Sequence, residues 1–474
     1  MYIRHKFCYH TIKQLLKQKN NIRTGRNDKS EHIMTEHMLY ASSGGEKMKR
    51  RVMVLTCSAM AAAAIMGGST MVSAADTVSV AIWDNNQLSG LQEIANEWSE
   101  ESGVDVEFQV MDWTTYWTML EAGASGGEMP DVFWMHSANA QKYMDAGLLL
   151  DMNSYIEEDD AIDLENYFPG IVELYSQDGV QYAIPKDHDT IAAVYNKAVF
   201  DKYGIDYPTD DWTWEDFASI AQQIADAGAD DGVYGTYMNT GSNQSGWYNI
   251  VYAMGGEIIS EDKKSSGMDK EETIAAMNFV GEKILPACPS QDSMANTPGD
   301  TMLMSGKIGL YLDGSWMAKS YYDADNAADF AWVEIPYYDA NENGQCDEGE
   351  RASIYNGLGW SIAANSSVPD EAWSLISAFS DEAGQLRQSE LGVTMSGYIG
   401  CSEPFANAFG DMDLSAFTKV EEDGRLVFRP YSKYSARWED DFTQKFIDAW
   451  NDPSLMEDTC LELAESMNSI LAEE

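Results

Sequence analysis

Basic residues are scarce in this chain. Its 474 residues hold 30 Lys+Arg against 78 Asp+Glu, a formal net charge of -48. Nucleic acid and anionic membrane both need a basic surface, so neither is a general partner. The same deficit disfavours a strongly anionic ligand. Cysteine is sparse too. Cys8 and Cys57 lie near the N-terminus, and Cys288, Cys346, Cys401 and Cys460 are scattered over the rest. Such spacing excludes a disulfide scaffold and gives no pair a metal-ligand spacing. Export would permit one or two bridges, with connectivity left open. No internal repeat and no low-complexity linker is present. The apolar run at 52–66 is too short to be a permanent membrane span.

The few basic residues are unevenly placed. Residues 1–74 hold 12 Lys+Arg and 4 Asp+Glu, leaving 18 against 74 over 75–474. Met48-Lys49-Arg50-Arg51 is a positive n-region, the apolar run follows, and Val72-Ser73-Ala74 fits a small-x-small cleavage site before Ala75. We therefore expect 48–74 to be a secretory signal peptide and the protein to be extracytoplasmic. Cys57 follows Val54-Leu55-Thr56, which lacks the small residue a lipobox places before its cysteine. Residues 1–47 are polar and without sustained periodicity. Gly44-Gly45-Glu46-Lys47 is what a purine-rich ribosome-binding site spells in translation. They are expected to be a mis-assigned extension, with Met48 the true start.

With 44% hydrophobic residues, 14 Trp and 25 Tyr, the remaining chain can bury a sizeable core. Its length suits two domains. Residues 77–82 and 104–110 alternate with period two, and 131–134 is a short apolar run, so all three read as strands. Ser89, with Gln92 three residues on, predicts the start of an intervening helix that Gly103 ends. A second helix is predicted over 115–124. Strand, helix, strand, helix, strand implies a parallel α/β layer with right-handed crossovers. The middle, about 190–335, reads as mostly helical, with a helix starting at Thr213. Residues 307–312 and 353–363 read as strands, and the C-terminal part as helical with Phe442, Phe446, Ile447 and Trp450 on one face.

In parallel sheets ligands sit beyond the carboxyl ends of the strands. Those ends supply Trp83-Asp84-Asn85-Asn86, Asp112-Trp113 and Trp134-Met135-His136. Three strand ends that each deliver tryptophan are unusual for loops, which favour Gly, Asn, Asp and Ser.

Two blocks carry a family resemblance. One is Pro130-Asp131-Val132-Phe133-Trp134-Met135-His136 with Gln141-Lys142-Tyr143-Met144-Asp145-Ala146-Gly147-Leu148-Leu149-Leu150-Asp151. The other is Tyr182-Ala183-Ile184-Pro185-Lys186-Asp187-His188-Asp189-Thr190 leading to Val194-Tyr195-Asn196-Lys197. Together they resemble the family 1 extracellular solute-binding proteins, the sugar-binding receptors of ABC importers. The resemblance covers nearly all of 76–474. It implies a two-lobed α/β fold of the type II periplasmic-binding-protein class, with a ligand cleft between the lobes and about three hinge crossings. We place the crossings near 187–190, 336–354 and 415–430. Lobe 1 would then comprise 75–188 and 355–415, and lobe 2 would comprise 189–336 and 416–474, with 337–354 as a crossover.

The resemblance implies capture of a mono- or oligosaccharide by a monomer that delivers it, unchanged, to ABC permease subunits. A sugar offers hydroxyls and an apolar ring face, which carboxylates, amides and aromatic rings answer. Trp316, after Gly314-Ser315, matches a stacking position of the family, and Asp313 precedes it. Trp438, in Tyr434-Ser435-Ala436-Arg437-Trp438, matches a second one. Trp134 matches a cleft-wall tryptophan, and Asp189 a ligand carboxylate at the first hinge. Asn243, Gln244 and Trp247 come from a glycine- and aromatic-rich loop that lines the cleft in the family. Trp83, Asp84, Trp113, His136, Asp187 and Trp360 complete the expected ligand set. Ser137-Ala138 replaces the Asp-Arg pair that grips maltodextrin in maltose-binding members, which argues against maltodextrin as ligand. Asp187 and Asp189, two apart on an extended segment, also admit a secreted glycosidase with an acid/base pair. A cell-surface glycan-binding adhesin is the third reading.

An independent motif spans 339–350. It resembles the calcium loop of EF-hands. Asp339, Asn341, Asn343, Asp347 and Glu350 occupy ligand positions, Gln345 offers its carbonyl, and Gly344 provides the sharp turn. The expectation is a structural Ca²⁺; the alternative is an acidic hairpin.

Overall fold

In a computed structural model, residues 77–240, 243–422 and 426–474 are described. The expected extension, signal peptide and cleavage site lie outside the described residues. Chain order begins β1 (Thr77–Ile82), α1 (Asn85–Ser102), β2 (Asp105–Val110), α2 (Trp113–Gly126), β3 (Val132–Met135) and α3 (Ser137–Asp145). Short strands β4 (Ile184–Pro185) and β5 (Asp187–His188) lead into β6 (Ile191–Asn196), followed by α4 (Trp214–Gly228), β7 (Leu310–Gly314) and β8 (Phe330–Val333). Next come β9 (Ser353–Tyr355), β10 (Gly359–Ile362), β11 (Met395–Ser396) and β12 (Leu426–Phe428). The chain finishes with helices α5 (Ser435–Asn451) and α6 (Met456–Leu471).

Two sheets organise these elements. The first runs β2-β1-β3-β10-β4. Its first three strands are parallel, as the strand-helix-strand order implied, and β10 enters antiparallel to both neighbours. The second is the antiparallel set β8-β6-β7. Each sheet has its own apolar core: Val80, Leu91, Phe133, Trp134, Trp360 and Phe379 lie in the first, and Phe200, Trp214, Phe217, Leu310, Leu312 and Trp438 in the second. These are the two lobes.

The helix after β1 starts five residues earlier than the Ser89 cap would place it. Asp84 caps it instead, accepting the Asn86 N–H, and Gly103 closes it at φ 77°. The strand expected over 353–363 is two strands, β9 and β10, separated by a passage between lobes. Residues 403–417 also differ from expectation. Phe405, Phe409, Leu414 and Phe417 pack with Val194, Phe330 and Trp332 of the second sheet, so this segment belongs to lobe 2 and not lobe 1. The third crossing therefore falls before 405. Strands β9 and β12 pair in parallel where the lobes meet, with Ile354 in the second core and Tyr355 in the first. At Gly357 an added Cβ would lie 2.3 Å from Ile171 Cδ1, so the backbone can pass here only without a side chain.

Several tryptophans expected in the cleft are core residues. Trp134 and Trp360 face each other across β3 and β10 and are both fully buried. Both strands lie in the interior of the five-stranded sheet, and all four residues of each are buried. Trp360 stacks on Phe379 with ring centroids 4.9 Å apart. Trp247 packs edge-on to Tyr248 and Phe446. Trp438 lies on the buried face of α5, its indole N–H donating to Ser432 Oγ at 3.0 Å. A ring with no exposed face cannot stack on a ligand. Ile447, expected on that same helix face, is instead exposed. Among the described residues Cys288, Cys401 and Cys460 are buried and form no disulfide.

Trp438→Ala should therefore act on stability. We expect a loss of about 3–5 kcal/mol, as for other buried tryptophan truncations, measured by urea unfolding. An unfolding midpoint at the wild-type value would return Trp438 to the surface.

Candidate functional site

The carboxyl ends of β1, β2 and β3 point the same way, and each is followed at once by a helix. The residues at these junctions cap the helices. Asp84 caps α1, Asp112 caps α2 by accepting the N–H groups of Thr114 and Thr115, and His136 caps α3 through Nδ1, which accepts the Ala138 N–H at 3.1 Å. Capping fixes these backbones, and the neighbouring indoles are fixed with them. Trp83 packs edge-on against Trp113 and Trp134, with centroids 5.1 and 4.9 Å away, and Trp113 packs edge-on against His136 at 5.1 Å. Trp113 stays 43% exposed, an open ring face at the mouth of this box.

Opposite, β7 ends at Asp313-Gly314 and the chain turns through Ser315-Trp316-Met317. An added Cβ at Gly314 would come within 2.0 Å of the Trp316 ring. Glycine is thus what lets Trp316 fold back over the strand end.

Between these walls lies a cavity of about 350 Å³. It is lined by Trp83, Asp84, Asn86, Gln87, Trp113 and His136 from lobe 1, Gln244, Trp316 and Met317 from lobe 2, and Asp187, Asp189, Leu358 and Thr394 from the passages or beside them. Its size falls in the usual range for small-ligand sites. Asn86 Nδ2 donates to Ser320 Oγ at 2.9 Å, tying the two lobes beside the cavity.

The floor is an ordered polar network. Lys186 is fully buried, its Nζ 2.7 Å from Asp187 Oδ2 and 2.6 Å from Gln87 Oε1. The ammonium sits 4.6 Å from the centre of the Trp134 ring. Asp187 Oδ1 accepts the Leu358 N–H, and Thr394 Oγ1 donates to its Oδ2. Asp189 Oδ1 accepts from Gln244 Nε2 at 2.5 Å and from the Asn356 N–H at 2.9 Å. Burial, reinforced by the charge of Asp187, pushes the Asp189 carboxyl up to about 7. Burial also raises Asp84. His136 is pushed down to about 3 by burial and by nearby Arg429, so its ring is neutral.

Eight of the expected ligand residues thus meet around one cavity: Trp83, Asp84, Trp113, His136, Asp187, Asp189, Gln244 and Trp316. Six do not. Trp134, Trp247, Trp360 and Trp438 are core. Asp313 is buried below Trp316, where Tyr321 Oη donates to its Oδ2, and burial pushes its pKa up to about 8. Asn243 bonds Tyr248 Oη and the Arg429 guanidinium instead of lining the cavity. Sequence reasoning missed Gln87, Met317, Leu358 and Thr394 as lining residues. Asn86 stood in the strand-end motif but was not taken from it. Lys186 and Arg429 were missed as charged groups behind the wall; a lysine inside an otherwise apolar Ile184-Pro185 strand end was the available signal.

The 339–350 loop adopts a compact form. Asp339 accepts the N–H groups of Asn343 and Gly344, and Glu350 accepts those of Ala340 and Asp347, closing the loop at both ends. Asn341 and Asn343 amides both donate to Asp347 Oδ2. No group of three or more His, Cys, Asp or Glu among the described residues is placed to hold a metal. A cation here would need the Asn341 and Asn343 oxygens and the Gln345 carbonyl as well.

Residues 83–386 match the bacterial extracellular solute-binding protein family, and the chain belongs to it. A maltotriose-binding protein of Pyrococcus abyssi is 26% identical over 327 residues, 68% of this chain and 66% of that protein. An sn-glycerol-3-phosphate-binding periplasmic protein of Agrobacterium fabrum is 25% identical over 37% of this chain and 41% of its own length. Among solved structures, an ABC substrate-binding protein of Listeria monocytogenes in complex with cycloalternan superposes with a TM-score of 0.71. It covers 84% of this chain and 99% of its own at 22% identity. That likeness is one of fold, and it is the two-lobed fold expected from the sequence.

The raised Asp189 makes a signed prediction. Its folded pKa of about 7 exceeds the ordinary 3.8. Between those values the folded state holds a proton that the unfolded state has lost. Ionising Asp189 therefore lowers stability as pH rises through that window, with the full penalty present above about 7. Asp189→Asn should raise Tm of the ligand-free protein near pH 8, with the gain shrinking toward pH 4. A Tm difference that is constant with pH would show that Asp189 titrates normally.

Proposed function

We propose that this solute-binding protein captures a carbohydrate outside the cytoplasm and presents it, unaltered, to an ABC importer permease. The observation that carries this is the cavity between the lobes, where three indoles, Trp83, Trp113 and Trp316, stand among carboxylates and amides. Rings suit pyranose faces, and carboxylates and amides suit hydroxyls. Walls from both lobes mean that a ligand contacts both, which favours the closed arrangement over any open one. The relative named for maltotriose supports the ligand class. One chain supplies both walls, so a monomer suffices.

Hydrolysis fits less well. A glycosidase needs one carboxyl to give a proton and another to attack or to activate water. Asp187 is engaged at both oxygens, by Lys186 and Thr394 on one and by a backbone N–H on the other. That suits holding a ligand better than proton transfer to it.

A thermal-shift screen over mono- and oligosaccharides tests the reading, since a ligand bound only by the folded state raises Tm. The hit should be recovered intact after long incubation; fragments would favour the enzyme. Trp316→Ala should then weaken binding by about 1–3 kcal/mol through loss of ring-face contact, with the fold retained. Calorimetric affinity equal to wild type would remove Trp316 from the site.

The 339–350 loop enters the proposal as a structural calcium site on the approach to β9. Two features support it: Asp339 and Glu350 already fold the loop, and five side-chain oxygens plus a carbonyl occupy EF-hand register. EDTA should lower Tm, and Ca²⁺ but not Mg²⁺ should restore it, because Mg²⁺ demands a smaller octahedron. Glu350→Gln should abolish the calcium-dependent shift. A wild-type Tm indifferent to EDTA leaves the loop a hydrogen-bonded hairpin.

A further inference from the structure

The cavity is lined by three carboxylates and, among the described residues, by no lysine or arginine. Three basic side chains, Lys186, Arg429 and His188, lie close behind it, and all are engaged elsewhere, His188 with Glu421 Oε1 at 3.0 Å. The Lys186 ammonium is enclosed by Asp187, Gln87 and the Trp134 face. Arg429 donates to Glu439 Oε1 at 2.5 Å and to Ser137 Oγ at 3.3 Å. The lining imidazole, His136, is neutral. Asp187 is thus balanced by Lys186, whereas Asp84 and Asp189 receive only neutral amide donors. Asp189 Oδ2 receives no hydrogen bond from any described residue.

From this arrangement we infer that the cleft sorts sugars by charge. It admits neutral sugars and sugars bearing a protonated amine, and it rejects sugars bearing phosphate or carboxylate. An anionic ligand would place its charge beside two carboxylates that no cation pairs with directly, where water is scarce, and like charges so placed repel strongly. An ammonium would meet the open Oδ2 of Asp189. Ancestry alone does not dictate this, since one relative of the chain is named for binding a phosphate ester. The charge balance of these particular residues does. The inference rests on the carbohydrate reading above.

The test is calorimetry on the purified chain near pH 8 with matched sugar sets. Each set holds a neutral saccharide, its 2-amino counterpart, its uronic acid and the methyl ester of that acid. The neutral and amino members should bind, and the uronate should be weaker by about tenfold or more. The ester should recover the affinity, which separates charge from size. Asp189→Asn and Asp84→Asn should each narrow the gap between neutral and uronate ligands. A uronate that binds as tightly as its neutral parent overturns the inference, as does a gap that neither substitution changes. If no sugar binds while some non-sugar solute does, the carbohydrate reading itself has failed.

Discussion

A lysine ammonium with no access to water lies at the base of this structure. Lys186 is wholly buried, and such a charge is tolerable only with a close counter-charge and good hydrogen bonds. Asp187 and Gln87 supply them, and the Trp134 ring supplies a third side. The pair does three things at once. It fastens the N-terminal turn of α1 to the strand that leaves lobe 1. It fixes Asp187 as a preset acceptor in the cavity floor, through Leu358 and Thr394. And it consumes the positive charge that would otherwise reach the cavity. Removing either partner would leave the other buried and uncompensated, so the ligand site and the hinge entry stand or fall together.

The walls follow from an older constraint, the parallel sheet. Parallel strands end on the same side, and a helix starting directly after each strand must cap its first N–H groups. Asp84, Asp112 and His136 meet that need. The residues beside a cap inherit its rigidity, which is why Trp83 and Trp113 hold fixed ring faces without contacts from a ligand. The other wall is built differently, from an antiparallel strand that ends in a glycine. There a single missing Cβ, at Gly314, lets Trp316 fold back toward the cavity. One wall is pre-formed by helix capping and the other by a close approach, and the cavity lies where they face each other.

The strand ends of lobe 1 were readable from sequence because alternation and loop composition are local signals. The family blocks carried the rest of the fold. The errors have one physical source: a tryptophan near a strand end can turn outward or inward, and burial decides which. Trp134 sits one residue inside β3, paired with Trp360 of β10, a strand more than 200 positions later that makes β3 an interior strand of the sheet. Trp438 resembles a stacking position by sequence, yet its helix turns that face into the lobe 2 core. Leu358 and Thr394 reach the cavity only because passages distant in sequence converge there, and no local pattern announces such convergence. The third crossing was misplaced for the same reason, since Phe405 to Phe417 carry no mark of which sheet they will cover.

The carboxylates without a directly paired cation can be understood as stability held back for binding. In the ligand-free protein Asp189 is partly desolvated, faces Asp187 and has one oxygen without a donor, so its ionised form is disfavoured. A ligand hydroxyl or ammonium aimed at that oxygen supplies the missing donor and favours ionisation. Binding and deprotonation of Asp189 are therefore linked, and each promotes the other. The position of Asp189 gives this linkage mechanical meaning. Its backbone N–H and its Oδ1 both bond Asn356 on the neighbouring passage, while Gln244 reaches it from lobe 2. A donor arriving from the ligand thus acts on the residue that already joins both passages to the second lobe. The same carboxylate that destabilises the empty cleft is placed to reward its closure around a ligand.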